Sequence, residues 1–251
     1  MSYVKVGCLL AGAYGSYVGA MPPKPSRSVP SQKEDKVIEE NGPYKIDTIR
    51  VPMAVIAVTT TQTALYLYLI TYGPRLAAAA NPPMDRHLLS AILQLQELKP
   101  WHLVAAGTSI FGAVLRKWSF IALDRFFTFH LSIRSGHRLI GTGPYTFLRH
   151  PSYSGGIMCG AGAYLLLLHQ GLWDVSVAYL GQSKWFPFDL NNSPSFLGIP
   201  GGILITGILT GLMTRALVER VKNEEIMLSK HFGKEWDVYA SKRWRFIPFI
   251  Y

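Results

Sequence analysis

Cysteine is almost missing from this chain: Cys8 and Cys159 are the only two among 251 residues. Both sit in apolar stretches, which leaves no disulfide framework and no metal-ligand spacing, and they read as buried, inert thiols. Charge is also scarce, at 16% of residues against 49% apolar. That balance argues against the one or two soluble domains that the length alone permits. Several apolar runs approach or exceed the roughly 18–20 residues needed to cross a bilayer. Acidic residues are the rarer sign, 15 against 25 Lys and Arg, for a net charge of +10. Nucleic acid is nonetheless excluded as a partner, because the basic residues alternate with apolar runs instead of gathering into a patch that could track phosphates. The alternation fits the positive-inside rule of membrane proteins.

Five apolar segments are present, at residues 1–21, 51–72, 101–123, 156–173 and 199–218. The first is read as an uncleaved helix, since its small-residue cleavage pattern is poor for a signal peptide. Residues 22–50 form a proline-rich linker whose charges near 33–40 favour a short helix. Gly73-Pro74 is expected to end the second span, and the hydroxyls of its Thr59-Thr60-Thr61-Gln62-Thr63 run to bond helix carbonyls. Leu88, Leu89, Ile92, Leu95 and Leu98 predict an amphipathic helix over 84–99 with Asp85 as its cap. Arg116 and Lys117 are expected to reach out to lipid head groups, and residues 124–136 to lie at the interface. Gly156/Gly160 and Gly207/Gly211, each four apart, predict close helix contacts. A loop with Pro187, Asn191-Asn192 and Pro194 joins the last two spans.

Lys and Arg number six in residues 22–50, six in 116–150 and eight in 215–251, against three in 73–100 and one in 174–198. The basic segments therefore share the cytosolic side. The expected fold is all-α: a polytopic integral membrane helical bundle with about five transmembrane helices and a cytosolic-face cofactor site. Residues 1–100 supply N-terminal membrane helices and the linker. Residues 101–251 supply a core with a C-terminal cytosolic helix.

Polar chemistry concentrates in His137–Gly155, HRLIGTGPYTFLRHPSYSG. Gly141, Gly143, Pro144 and Pro151 constrain an irregular path, which at membrane depth is tolerated only inside protein or along a cavity. Tyr145 and Tyr153 offer aromatic faces to a cation. The plain structural alternative is a juxtamembrane turn whose Arg149 and His150 meet head groups. A second constellation follows the last span, where Arg220 and Glu224 stand four apart on one helix face, with Glu225 beside them and Gly233 as the helix stop. Its plain alternative is an exposed helix salt bridge.

At these residues the chain resembles the isoprenylcysteine carboxyl methyltransferase family. The resemblance is carried by His137-Arg138-Leu139-Ile140, Gly143-Pro144-Tyr145, Arg149-His150-Pro151-Ser152-Tyr153, Arg220, Glu224-Glu225 and Phe232-Gly233-Lys234-Glu235-Trp236, with a similar ending at Ile247-Pro248-Phe249. It covers about residues 105–251. It implies a multi-pass protein of the endoplasmic reticulum membrane, its active site facing the cytosol. The implied activity is methylation of the C-terminal carboxylate of prenylated proteins with S-adenosyl-L-methionine as donor. It also implies that His137, Arg138, Leu139, Ile140, Tyr145, His150, Pro151, Ser152, Tyr153 and Glu224 bind that cofactor. Glu225 is counted beside Glu224, Arg220 is the substrate anchor, and Arg149 is a further catalytic candidate. A family glutamine seven residues before the tetrad is His130 here. Membrane lipid is the other expected partner, the prenyl chain entering through a gap between the 101–123 span and the last two. The alternatives are a phospholipid amine methyltransferase, which needs a base and gains nothing from Arg220, and a non-catalytic membrane scaffold or transporter.

Overall fold

The computed structural model describes residues 3–21, 36–37, 50–127, 132–133, 136–181, 195–196 and 198–247. His130, most of the 22–50 linker, the 182–194 part of the loop, and Pro248 and Phe249 lie outside these residues. The helices are α1 (Tyr3–Ala20), α2 (Arg50–Ala79), α3 (Arg86–Gln94), α4 (Pro100–Leu123), α5 (Pro151–Leu168), α6 (Leu172–Leu180), α7 (Gly201–Phe232) and α8 (Lys234–Ser241). Two antiparallel pairs of two-residue strands complete the list: β1 (Lys36–Val37) with β2 (Ser132–Ile133), and β3 (Ser195–Phe196) with β4 (Ile199–Pro200). Lys36–Val37 is thus extended, not part of the short helix expected at 33–40, because its backbone pairs with a segment almost a hundred residues away.

The fold is mostly helical, and α2 and α7 are each long and apolar enough to cross a membrane. The other three expected spans form α1, α4 and α5, which pack against one another. The second face of α5 receives α7, while α2 leans on α1, and α3 bridges α2 and α6. Helix α4 is arranged inside out. It buries Ser109 and Ser119 completely and exposes Phe111, Val114, Trp118 and Ile121. A helix surrounded by apolar material gains little by hiding large apolar side chains, and small residues let its backbone approach a neighbour.

That approach occurs at the α4–α5 seam. A Cβ on Gly155 would lie 2.6 Å from the Gly112 carbonyl oxygen, and one on Gly112 would lie 2.6 Å from that of Gly155. Gly162 makes an equally close approach to Ala105. The expected Gly207/Gly211 contact is not made among the described residues, where a Cβ at either position would meet nothing within 4 Å. Of the other pair, Gly160 meets Met213 of α7. Spacing alone marks which glycines share a face and carries no information about which face meets a partner.

Further expectations are corrected or met by individual contacts. Helix α2 runs through Gly73-Pro74 to Ala79. Pro74 has no N–H for the Ile70 carbonyl, a loss that ordinarily breaks a helix, but Gln96 Nε2 donates to that oxygen at 3.0 Å. Arg116 turns inward: its Nε donates to the Val18 carbonyl at 3.0 Å and its Nη1 to Ser152, tying α1, α4 and α5 together. Lys117 is exposed and donates to the Tyr14 hydroxyl. Asp85 caps α3 as expected, accepting from the His87 and Leu88 amides. Thr59, Thr63 and Thr71 donate to their own helix carbonyls. Cys8 and Cys159 are buried and unpaired with each other.

Gly155→Ala is expected to destabilise the chain by about 1–3 kcal/mol through overpacking against immovable backbone. Gly207→Ala should be neutral or mildly stabilising, by up to about 1 kcal/mol of helix propensity. Thermal unfolding of the two variants in detergent micelles checks this, and equal shifts would refute the seam.

Candidate active site

Pro151 opens α5 in the first-turn position that tolerates a missing N–H, so Arg149 and His150 sit at that helix's start. The chain before it stays irregular until a 3₁₀ turn at Gly143–Thr146. Gly143 enters that turn with φ +59 and lies against Trp118, where a Cβ would come within 3.1 Å of the indole nitrogen. Gly233, with φ +52, ends α7 as expected. The span and the acidic segment expected as separate pieces form one continuous helix, α7, that carries Arg220, Glu224 and Glu225 past the start of α5.

At that meeting point six expected residues converge. Tyr153 Oη donates to Glu224 Oε2 at 2.9 Å and accepts from Arg220 Nε at 2.9 Å. His150 lies between the two acids, its Nδ1 3.8 Å from Glu224 Oε1 and its Nε2 3.2 Å from Glu225 Oε1. Arg149 Nη1 reaches Glu225 Oε1 at 2.9 Å. Glu225 and His150 are buried, while Glu224 retains 26% side-chain exposure. Glu225 is therefore engaged by protein cations, and Glu224 is the more open of the two acids.

The tetrad occupies a neighbouring position. His137 packs between the rings of Phe126 and Phe232, at centroid distances of 5.1 and 5.8 Å. Arg138 lies over Phe126 at 5.8 Å, and Leu139 is half-buried. Arg138 and Ile140 line a cleft of 410 Å³ with Ala122, Leu123, Asp124, Arg125 and Phe126. That volume falls within the range of small-molecule sites, although the cleft does not include the carboxylate pair. Tyr239 ties the regions together by donating to the Ile140 carbonyl at 2.9 Å, and burial pushes its phenol up to about 12. Burial likewise raises Tyr145 well above the ordinary phenol value. Both phenols stay protonated at neutral pH and neither is a base. Ser152 accepts from Arg116 and so serves the packing of α5.

Sequence reasoning missed the C-terminal segment. Arg245 grips Glu225 with two nitrogens, Nε to Oε1 at 3.1 Å and Nη2 to Oε2 at 2.6 Å. Arg243 donates to the Tyr145 carbonyl at 2.7 Å and stacks over the Tyr239 ring at 4.1 Å. The available signal was charge balance: two adjacent glutamates on a helix leaving a membrane need cations, and Arg243 and Arg245 follow within the same basic tail.

Fold and site together define a helical bundle with membrane-length apolar helices and a polar, carboxylate-centred site at one end. The model of the isoprenylcysteine carboxyl methyltransferase family matches residues 104–188, which include the His137–Tyr153 segment. A probable protein-S-isoprenylcysteine O-methyltransferase from Oryza sativa subsp. indica is 27% identical over 171 residues, 66% of this chain and 72% of that protein. Protein-S-isoprenylcysteine O-methyltransferase B from Arabidopsis thaliana is 27% identical over 143 residues, 56% of each chain. A Dictyostelium discoideum protein-S-isoprenylcysteine O-methyltransferase is 25% identical over 151 residues, 59% of this chain and 49% of its own. These matches support the isoprenylcysteine carboxyl methyltransferase family for the chain.

The two glutamates should separate on substitution. Glu225→Gln leaves Arg149 and Arg245 facing a neutral amide and is expected to cost roughly 2–4 kcal/mol of stability, as breaking a mostly buried ion cluster does. Glu224→Gln should cost under about 1 kcal/mol, as for a partly exposed group. Unfolding midpoints in micelles read the difference, and the reverse order would overturn the assignment.

Proposed function

We propose that this protein methylates the C-terminal prenylcysteine carboxylate of prenylated proteins, with S-adenosyl-L-methionine as methyl donor. The observation that carries the reading is the convergence of Tyr153, Glu224 and Arg220 through one hydroxyl. It sets an anionic group for a cationic donor beside a cationic group for an anionic acceptor.

The residues fit a sulfonium nucleoside. Glu224 keeps a partly exposed carboxylate, with His150 no nearer than 3.8 Å to its Oε1. Tyr145 and Tyr153 add aromatic faces, and the 410 Å³ cleft beside Arg138 and Ile140 has room for a nucleoside. The donor, when bound, supplies an electrophilic methyl carbon on positively charged sulfur. Glu224 and Tyr153 would hold that end, and His137, Arg138, Leu139 and Ile140 the nucleoside.

Arg220 would anchor the acceptor carboxylate from the oxygen that does not attack, because pairing both oxygens would quench the nucleophile. A carboxylate has a reference pKa near 4, so it arrives ionised and no base is required. His150, already engaged by two acids, is left as an orienting group. Methyl transfer from the bound donor to that oxygen would cancel two opposite charges and move no proton, so the site's residues would need only to hold and align the two partners. Alignment of such a pair can supply roughly 7–11 kcal/mol.

A bilayer setting follows from the acceptor, whose prenyl carbons each favour lipid by about 0.8 kcal/mol. The inside-out α4 and the apolar faces of α2 and α7 suit that setting, with α1, α4 and α5 as further membrane helices in the endoplasmic reticulum and the site facing the cytosol. The expected lipid gap cannot lie between α4 and α5, which close backbone to backbone. Of the expected positions, the one between α4 and α7 is therefore kept for the lipid.

Membranes bearing the chain, given labelled donor, S-farnesylcysteine and phosphatidylethanolamine, should yield base-labile label on the farnesylcysteine. Label confined to phospholipid would instead establish the amine methyltransferase. Arg220→Ala is expected to raise the farnesylcysteine KM by about tenfold or more, the loss of roughly 1.4 kcal/mol or more of charge-assisted binding. The donor KM should change much less. Equal effects on both would remove the anchoring role.

A further inference from the structure

Arg245 holds His150 from two sides. Its backbone carbonyl accepts the His150 amide at 3.2 Å, while its guanidinium grips both oxygens of Glu225, the acid that meets His150 Nε2. Around it the tail from Arg243 to Phe246 docks as a strap. The Trp244 carbonyl accepts the Arg149 amide at 2.7 Å, and the Phe147 carbonyl accepts the Trp244 amide at 3.1 Å. The Phe246 carbonyl accepts the Ser154 hydroxyl at 2.7 Å. One short segment therefore touches the irregular turn, the first turn of α5 and, through Arg245 alone among these contacts, α7.

A carboxylate offers about four lone-pair positions. Glu225 gives Oε1 to Arg149, His150 and Arg245 Nε and Oε2 to Arg245 Nη2, so both of its oxygens are engaged by protein donors. Its neighbour Glu224 shares His150 from the other ring nitrogen, at 3.8 Å. The groups facing His150 are therefore Glu224 and Glu225 from α7 and Tyr153 from α5, with Arg149 and Arg245 balancing Glu225. Without the Arg245 fork, Glu225 would be held at Oε1 alone, by Arg149 and His150, and could turn Oε2 toward Tyr153 in competition with Glu224.

We propose that Arg245 is a positioning residue of the donor site: by holding both oxygens of Glu225 and pinning the His150 backbone, it leaves Glu224 as the acid presented to the cationic donor. The proposal rests on the methyl-transfer reading above, but only on its donor half.

The test uses the full chain in micelles and reads the S-adenosyl-L-methionine Kd by calorimetry, with no acceptor present. Arg245→Met keeps the stem and removes the fork, and its donor Kd should rise about tenfold, while the farnesylcysteine KM stays within about twofold. Arg245→Lys restores the charge but not the two-point geometry and should fall between, at about threefold. It also serves if the Met variant does not fold. Ser154→Ala loosens the strap without touching Glu225 and should leave the donor Kd within about twofold of the parent. A parent-like donor Kd in Arg245→Met or Arg245→Lys overturns the proposal. So does a Ser154→Ala variant that reproduces the loss, which would make docking of the tail the whole effect. If the parent binds donor but esterifies no prenylcysteine, the acceptor assignment fails and this measurement still decides the role of Arg245.

Discussion

A buried carboxylate is intolerable without cationic partners, and Glu225 is the carboxylate on which this end of the molecule depends. Removing such a charge from water costs several kcal/mol before any partner is counted. The three partners come from two distant places: Arg149 and His150 from the start of α5, Arg245 from the tail beyond α8. Satisfying one side chain therefore forces α7 to lie along α5 and the tail to return across the turn at Phe147–His150. The site is assembled by the same contacts that discharge this electrostatic debt.

The rest of the bundle supplies rigidity by a different means. In the apolar surroundings proposed for these helices the hydrophobic effect would not drive them together, and close backbone packing takes its place. Gly112, Gly155 and Gly162 provide it between α4 and α5. Arg116 then uses that proximity to bond Val18 and Ser152 at once. The start of α5 is consequently fixed from one side by packing and from the other by charge. His150 and Tyr153 are held in place before any ligand arrives.

The parts legible in the sequence were those in which chemistry and position coincide on a short stretch. The Arg149–Tyr153 segment, the Arg220/Glu224 spacing, the Asp85 cap and the Gly233 stop each declare themselves locally. The misread parts depend on long-range partners. Pro74 reads as a terminator until Gln96 is found on its orphaned carbonyl. Arg116 reads as a snorkelling cation until α1 and α5 are seen beside it. Gly207 and Gly211 match a packing motif, yet the helix face they share has no partner among the described residues. Arg245 lies 20 residues beyond Glu225, with α8 between them, a separation at which no periodicity connects the two.

Adjacent glutamates are not redundant here, and helix geometry explains why. Successive residues of a helix point about 100° apart, so α7 can bury Glu225 against protein only by turning Glu224 toward a different sector. That sector holds Tyr153, and beyond its hydroxyl Arg220. An uncompensated pair of acids would draw protons or metal ions and repel an anionic acceptor. With Glu225 neutralised by Arg149 and Arg245, a single carboxylate is left on the Tyr153 side, two hydrogen bonds from the Arg220 guanidinium through one hydroxyl, which is the charge pattern the proposed methyl transfer needs. Exchanging the two glutamates' roles would require rotating α7 against α5, which the Arg245 fork and the contact between Gly160 and Met213 both resist.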